Sequence, residues 1–346
     1  MSRLAGKALT LLPLLLFSCS SPPLTYQQIS TCSVEAKRLN EVEKLADKGF
    51  GEAQLCAGKL LLKEGKSTKA RKYLLKAFKQ LSGRKRGEAA YLVGKTYLME
   101  KKVNRGRSWF FKAIENGYPN REFFKTSHYL SLKELKEIEE LGKEEPILYL
   151  YLGDYLRENE LYKGALFYYQ LAIRYGIKEA RIGSAVSLFK LGNRKLAVSI
   201  LKEEFRKGKK EAANVLGELL LEEASSVGKG NCLLISESDP EEFLRRRIKQ
   251  IKEKARLYKE AYSWFIKANN RRKAKESFYL YEVYSLKKRA PLPRGNFTVQ
   301  ELKRLCRKGN FWAEYLLSQR IKTPTSKAAS ILYEKLFNYP AYLEGR

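Results

Sequence analysis

Histidine is all but missing from this chain: His128 is the only one among 346 residues. One imidazole cannot make a zinc site on its own. The five cysteines, Cys19, Cys32, Cys56, Cys232 and Cys306, nowhere stand in a Cys-x-x-Cys spacing. No metal-type ligand set is therefore legible, and neither a metal nor a cofactor is expected. Phosphate-loop chemistry is lacking as well. Gly65-Lys66-Ser67 and Gly94-Lys95-Thr96 imitate the end of such a loop, but Leu60 and Ala89 stand where its leading glycine belongs. Long apolar runs are confined to residues 8–17, a stretch of ten that is too short to cross a bilayer as a helix. No constellation of catalytic groups emerges, and the chain reads as a non-enzyme.

What remains is a folding sequence with an excess of cations. Hydrophobic residues make up 44% and charged residues 31%, which places the chain among folded rather than disordered proteins. Lys and Arg number 68 against 38 Asp and Glu, a net charge of +30. Such an excess asks for an anionic neighbour: acidic polysaccharide, lipid phosphate, nucleic acid or an acidic protein face.

The frame is set in residues 148–221, where one helix-pair pattern runs nearly twice. Its members are Gly153, Ala165, Tyr169 and Ala172, then Ala185, Ala197 and Leu201, then Gly217. The leading small residues recur every 32 positions, the signature of a stacked helical array. Upstream, Gly58 opens the same pattern with Ala70, Leu74 and Ala77, and Gly94 repeats it 36 residues later with Gly106, Phe110 and Ala113. Positions 70, 74 and 77 fall on one helix face, and the small residues let antiparallel helices pack at the short end of the usual separation. After Gly217 the partner helix is late. Ala261, Phe265 and Ala268 stand 32 residues beyond their expected place, which predicts an insertion at about 225–259. The skeleton resembles the tetratricopeptide repeat. An alanine five residues before the leading small residue, at Ala53, Ala89, Ala180 and Ala212, is similar to the Sel-one-like subclass. The resemblance implies an all-α, right-handed superhelical solenoid of antiparallel helix pairs over residues 33–346.

Local signals fill in the elements. Ser33 is placed to cap a helix running to Lys48, with Gly49 as its stop, and Ser131 with Glu134 forms a capping box. Within the insertion, residues 225–238 read as a loop. Asp239-Pro240-Glu241-Glu242 then starts a helix able to run on into the Ala261 helix. A helix is predicted over 275–288, broken by Pro291 and Pro293. Thr298 with Glu301 opens another to Lys308. The final pair, over 311–321 and 326–337, repeats the skeleton weakly, as a capping unit does.

Arg3 and Lys7 precede the apolar run, which ends in Leu16-Phe17-Ser18-Cys19. This resembles the lipobox of bacterial lipoproteins, although Phe17 departs from the small or aliphatic residue usual at its position. The resemblance implies removal of residues 1–18, lipid attachment at Cys19 and a flexible tether over 19–32. With Ser20 next, and not Asp, it points to the outer membrane, facing the periplasm. That address permits disulfides. Four cysteines besides Cys19 allow three pairings. Cys32 and Cys56 are close enough for adjacent helices to bridge, but Cys56 reads equally as a small buried hydrophobe, and the balance falls on no disulfide.

The most suggestive feature is basic. Residues 241–275 hold thirteen Lys or Arg against four Glu. Arg245, Arg246, Arg247, Lys249, Lys252, Lys254 and Arg256 are the candidate anion-binding residues. Because Arg245, Arg246 and Arg247 sit on successive faces, no single stripe is expected. The plain reading is a solvated helix face; the sharper one is a phosphate- or carboxylate-binding surface on an insertion the repeats did not need. The aromatics Tyr149, Tyr151, Tyr155, Tyr162, Phe167, Tyr168, Tyr169 and Tyr175 belong mainly to the core between helices, with a lesser role in lining a surface for sugars or peptides. Lipoproteins with such repeats include the periplasmic scaffold of alginate export and assembly factors for outer-membrane barrels and pili. The likeness implies a non-catalytic scaffold of an envelope complex. Its partners would be envelope proteins, acidic exopolysaccharide or lipid phosphate, with the membrane reached through the lipid anchor and nucleic acid ruled out by export. The rivals are an assembly chaperone for outer-membrane proteins or pili and a glycan-active enzyme on a helical scaffold.

Overall fold

Small residues facing large ones organise the helices. In the computed structural model, which describes residues 23–230 and 232–338, Gly58 lies against Leu74, Gly94 against Phe110, Gly153 against Tyr169 and Gly217 against Phe265. A Cβ on Gly217 would come within 2.7 Å of the Phe265 ring, and one on Gly94 within 2.6 Å of the Phe110 ring. The glycine and its large partner are 16 residues apart in the first three pairs and 48 in the last, so the 32-residue insertion read from the spacing is present. Ala70, Ala77, Ala113, Ala165, Ala172, Ala185, Ala197 and Ala261 are all fully buried on the same seams. Ala268 departs from the pattern. It caps the end of its helix and is only half-buried.

The result is an all-α helical-repeat fold whose described residues fall into two compact units, divided between Leu141 and Gly142. The first unit contains α1 (Tyr26–Thr31), α2 (Leu39–Asp47), α3 (Gly51–Lys63), α4 (Ser67–Gln80), α5 (Gly83–Met99), α6 (Val103–Glu115) and α7 (Glu122–Lys125), and α8 (Leu132–Glu144) runs across its end. The pairs α3/α4 and α5/α6 carry the first two repeats. Ser131 and Glu134 form the expected capping box, Ser131 N donating to Glu134 Oε2 at 2.9 Å and Glu134 N to Ser131 Oγ at 3.3 Å.

Two expectations fail at the start of this unit. The segment read as a flexible tether contains α1, whose Thr25 and Gln28 make a capping box: Gln28 N donates to Thr25 Oγ1 at 3.2 Å and Thr25 N to Gln28 Oε1 at 2.9 Å. The Cys32–Cys56 disulfide then ties its end to α3. Ser33 caps nothing, because a 3-10 turn over Ala36–Arg38 intervenes before α2. Cys19, with residues 1–18, lies outside the described residues.

The second unit contains α9 (Ile147–Glu158), α10 (Tyr162–Arg174), α11 (Ala180–Lys190), α12 (Arg194–Arg206), α13 (Lys210–Ser226), α14 (Leu233–Ser236), α15 (Pro240–Lys267), α16 (Arg271–Tyr284), α17 (Val299–Arg307), α18 (Phe311–Ser318) and α19 (Ser326–Glu334). Helix α15 spans 28 residues without a break. Its start is as expected, with Asp239 Oδ1 accepting from Glu241 N at 2.9 Å and Pro240 in the first turn. Helix α16 begins earlier than the sequence suggested, because Asn270 Oδ1 caps Lys273 N at 3.2 Å. A two-residue parallel bridge, β1 (Ala290–Pro291) with β2 (Phe337–Asn338), adds the strand pairing that an all-α reading did not anticipate. Among the described residues no helix is long and apolar enough to cross a membrane.

Candidate functional site

Helix α15 has an inner and an outer side, and they divide the predicted basic residues. Arg245, Lys249, Lys252, Arg256 and Lys259 are exposed and follow one another at steps of four and three, so they form a single solvent-facing stripe. At 1.5 Å per residue the stripe is about 21 Å long. Arg246 is exposed at its edge. The three consecutive arginines had argued against a stripe, but that inference fails because Arg247 turns inward and leaves the outer face regular.

Arg247 is not an anion-binding surface residue. It is 1% exposed and already has its anion. Its Nε donates to Glu314 Oε2 at 2.7 Å and its Nη2 to Glu314 Oε1 at 2.8 Å, a two-pronged pair from α15 to α18. Glu314 is wholly buried and also accepts from Leu234 N at 2.8 Å and from the Tyr333 hydroxyl. Burial disfavours charge on Arg247, yet Tyr333 and Glu314 hold its pKa above the ordinary value. Burial, then Glu314, pushes the Tyr333 hydroxyl well above its own.

The same network pins the insertion. Cys232 and Cys306 form a disulfide, contrary to the expectation of free thiols. Gly230 N donates to Arg307 O at 2.8 Å, and Thr325 Oγ1 to Leu234 O at 3.0 Å. Residues 225–238, read as a loop, are thus partly α13, partly the short helix α14, which buries Leu233 and Leu234, with the connection clamped onto α17 and α18. Cys232, Cys306 and Glu314 come together as a possible ligand trio. With the sulfurs bonded to each other and Glu314 held by Arg247, the trio is a structural joint.

Between residues 227–230 and α15 lies a cavity of about 510 Å³. Lys229, Leu233, Arg246, Lys249, Gln250 and Glu253 line it. Arg246 is paired with Glu242 at 2.5 Å and Glu237 at 3.3 Å, and Glu253 with Arg256 at 2.6 Å. Lys254 lies one turn beyond Gln250 and is only 4% exposed. Its Nζ sits 5.1 Å from the Phe311 ring centre and 5.4 Å from that of Tyr284. Burial, then the nearby charges of Lys229 and Arg247, brings its pKa down to about 8. Lys229 is a member of this group that sequence reasoning missed. Its only signal was its place between Gly228 and Gly230 in the insertion.

Among the other concavities of the second unit, two gather charged or aromatic side chains. One, of about 370 Å³, gathers Arg157, Glu158, Tyr162, Lys190, Glu218 and Glu222. Its acids, Glu160 included, are exposed, and three of the four are engaged: Glu158 with Arg157 at 3.6 Å, Glu222 with Lys190, and Glu218 with Lys273. The other, of about 790 Å³, is lined by Tyr262, Ile266, Arg271, Arg272, Lys275 and Phe278. Of the aromatics around α9 and α10, Tyr149, Tyr155, Tyr168 and Tyr169 are buried, whereas Phe167 and Tyr175 are exposed. Tyr169 keeps its hydroxyl on Asp154 Oδ1 at 2.7 Å and receives Arg157 Nε at 3.0 Å. In comparison with known proteins, the chain matches no family model and no curated protein sequence.

Proposed function

We propose that this protein is a lipid-anchored interaction scaffold of a bacterial cell envelope, which offers the cationic side of α15 to an anionic partner. The observation that carries the reading is the stripe Arg245, Lys249, Lys252, Arg256 and Lys259, on a helix whose inner side alone serves packing. Regular spacing along about 21 Å suits an extended acidic polysaccharide or a row of lipid phosphates better than a single small ion. Two disulfides support an exported chain, since such bonds persist in oxidising compartments. Lipidation at Cys19, an outer-membrane address facing the periplasm, and envelope proteins as further partners belong to the same proposal. Nucleic acid does not, because of the export signal. Catalysis is no part of it either, since the acids clustered near Arg157 and Tyr162 are solvated and most of them are ion-paired.

The test is binding of the purified chain to an acidic polysaccharide, with polyglucuronate as probe. Reversing the free cations of the stripe, Lys249→Glu, Lys252→Glu and Lys259→Glu together, is expected to weaken binding at least tenfold, and salt to abolish it. Equal binding by the triple variant sinks the reading. Replacing Cys19→Ser is expected to release the protein from the membrane fraction, and retention there defeats the anchor. A chaperone reading has one observation in its favour: Ile266 and Phe278 are exposed beside the cavity at Tyr262. It predicts affinity for apolar peptides that survives salt.

A further inference from the structure

The cavity beside residues 227–230 has a charge balance that the stripe does not explain. Most ionised groups around it are already matched. Arg246 has Glu237 and Glu242, Arg247 has Glu314, and Glu253 has Arg256. Lys229, Lys249 and Lys254 have no carboxylate partner among the described residues. Lys254 is the telling member. The residue is 4% exposed, and its ammonium has two aromatic rings beside it where a lysine so far from bulk water normally has an anion or hydrogen-bond acceptors. Ring faces attract a cation, but they do not neutralise it.

Phe311 connects Lys254 to the edge of the cavity, which Gly228 lines. Gly228, with φ of +86°, brings its backbone against Phe311: a Cβ there would lie 2.8 Å from that ring and 3.3 Å from Arg247 Nη1. The same Phe311 ring faces Lys254 Nζ. Gln250 lines the cavity and its Oε1 accepts from Arg247 Nη1, which leaves Nε2 as the amide atom free to donate. Lys229 and Lys249 put two unmatched positive charges on the lining and Lys254 a third behind it, so a neutral ligand would leave three unmatched and a singly charged one two. A phosphate monoester carries about −1.5 to −2 at neutral pH and three strong acceptor oxygens, the best match to this set.

We infer that the cavity is a binding site for a phosphate monoester group, held by Lys229, Lys249 and the Gln250 amide, with Lys254 supplying charge from beneath. The inference deepens the reading of α15 as an anion-facing surface, and it adds a discrete seat to the extended stripe. Two sources carry this chemistry, a soluble phosphate compound and the headgroup of a phosphatidate lipid.

The experiment uses the mature chain and follows inorganic phosphate by phosphorus NMR, with acetate and chloride at matched ionic strength as controls. Saturable binding of phosphate is expected, with Lys229→Gln weakening it at least tenfold and Lys252→Gln, which alters only the stripe, leaving it unchanged. Phosphate that does not saturate, or that binds Lys229→Gln as well as the native chain, overturns the site. Vesicles of phosphatidylcholine with and without phosphatidate identify the source: retention that needs both phosphatidate and Lys229 supports a lipid ligand, and phosphate binding without such retention supports a soluble one. Polymer binding through the stripe with no phosphate binding would end this inference and leave the scaffold reading standing. Phosphate binding without polymer binding would do the reverse.

Discussion

The two halves of α15 share apolar burial, but only one of them adds a buried ion pair. Its C-terminal half follows the repeat rule: Ala261 and Phe265 are fully buried, and Phe265 fills the space left by Gly217 on α13. The N-terminal half also buries Phe243 and Ile251, but adds charge and covalent chemistry, through Arg247 on Glu314 and the Cys232–Cys306 disulfide that fastens the segment before it. An apolar seam tolerates drift, since each contact adds a little. A buried ion pair stands or falls as a unit, because losing one partner strands the other without water. The insertion is therefore joined to its surroundings more abruptly than the repeats are to each other.

The sharpest way to break this contrast is Glu314→Ala. It leaves the Arg247 guanidinium buried and unpaired, and urea unfolding is expected to show a loss of about 3–5 kcal/mol. The double change Arg247→Met with Glu314→Leu should restore most of that loss. A double variant as unstable as the single one would show that the pair is not the cause. Next comes the disulfide: Cys232→Ala with Cys306→Ala should cost about 2–4 kcal/mol, read from the same unfolding curves with and without reductant.

On the apolar half, Gly217→Val is expected to cost about 1–3 kcal/mol by forcing the Phe265 ring aside. Adding Phe265→Leu should recover part of it, and no recovery would place the strain elsewhere. The smallest effect has the opposite sign. Lys254 has a pKa of about 8 against an ordinary 10.5, so below pH 8 the fold carries the full cost of a charged ammonium in a poor site. Between those values the unfolded chain binds the extra proton, and stability rises with pH. Lys254→Met should thus stabilise by roughly 1–3 kcal/mol at pH 7 and by little above pH 10. A gain that does not change with pH would exclude the charge as its source.

The seams were legible because a small residue and its large partner keep a fixed distance in sequence. Gly153 with Tyr169 shows it directly, and Gly217 with Phe265 shows it even across an insertion. The capping boxes at Ser131 and Thr298 were legible because their bonds are local. Thr25 and Gln28 carry the same signature, and helix α1 was missed because a Ser- and Pro-containing leader suggested an extended tether. The inward turn of Arg247 could not be read from a run of arginines, since charge alone implies the surface. Its partner left a trace: Glu314 is the lone acid in Phe311–Ser318, a helix whose other members are mostly apolar. The pairing of the cysteines depends on which distant segments meet, and spacing does not contain that.

One consequence of the Cys232–Cys306 bond concerns the chain as a covalent object. The bond closes a ring with a separation of 74 residues, and the whole of α14, α15 and α16 and all but the last residue of α17 lie within it. A protease that cuts once in the segment between α16 and α17 opens the ring without producing two pieces. The fragment that carries α17 to α19 then stays bound to the one that carries the cationic helix, and only reduction parts them.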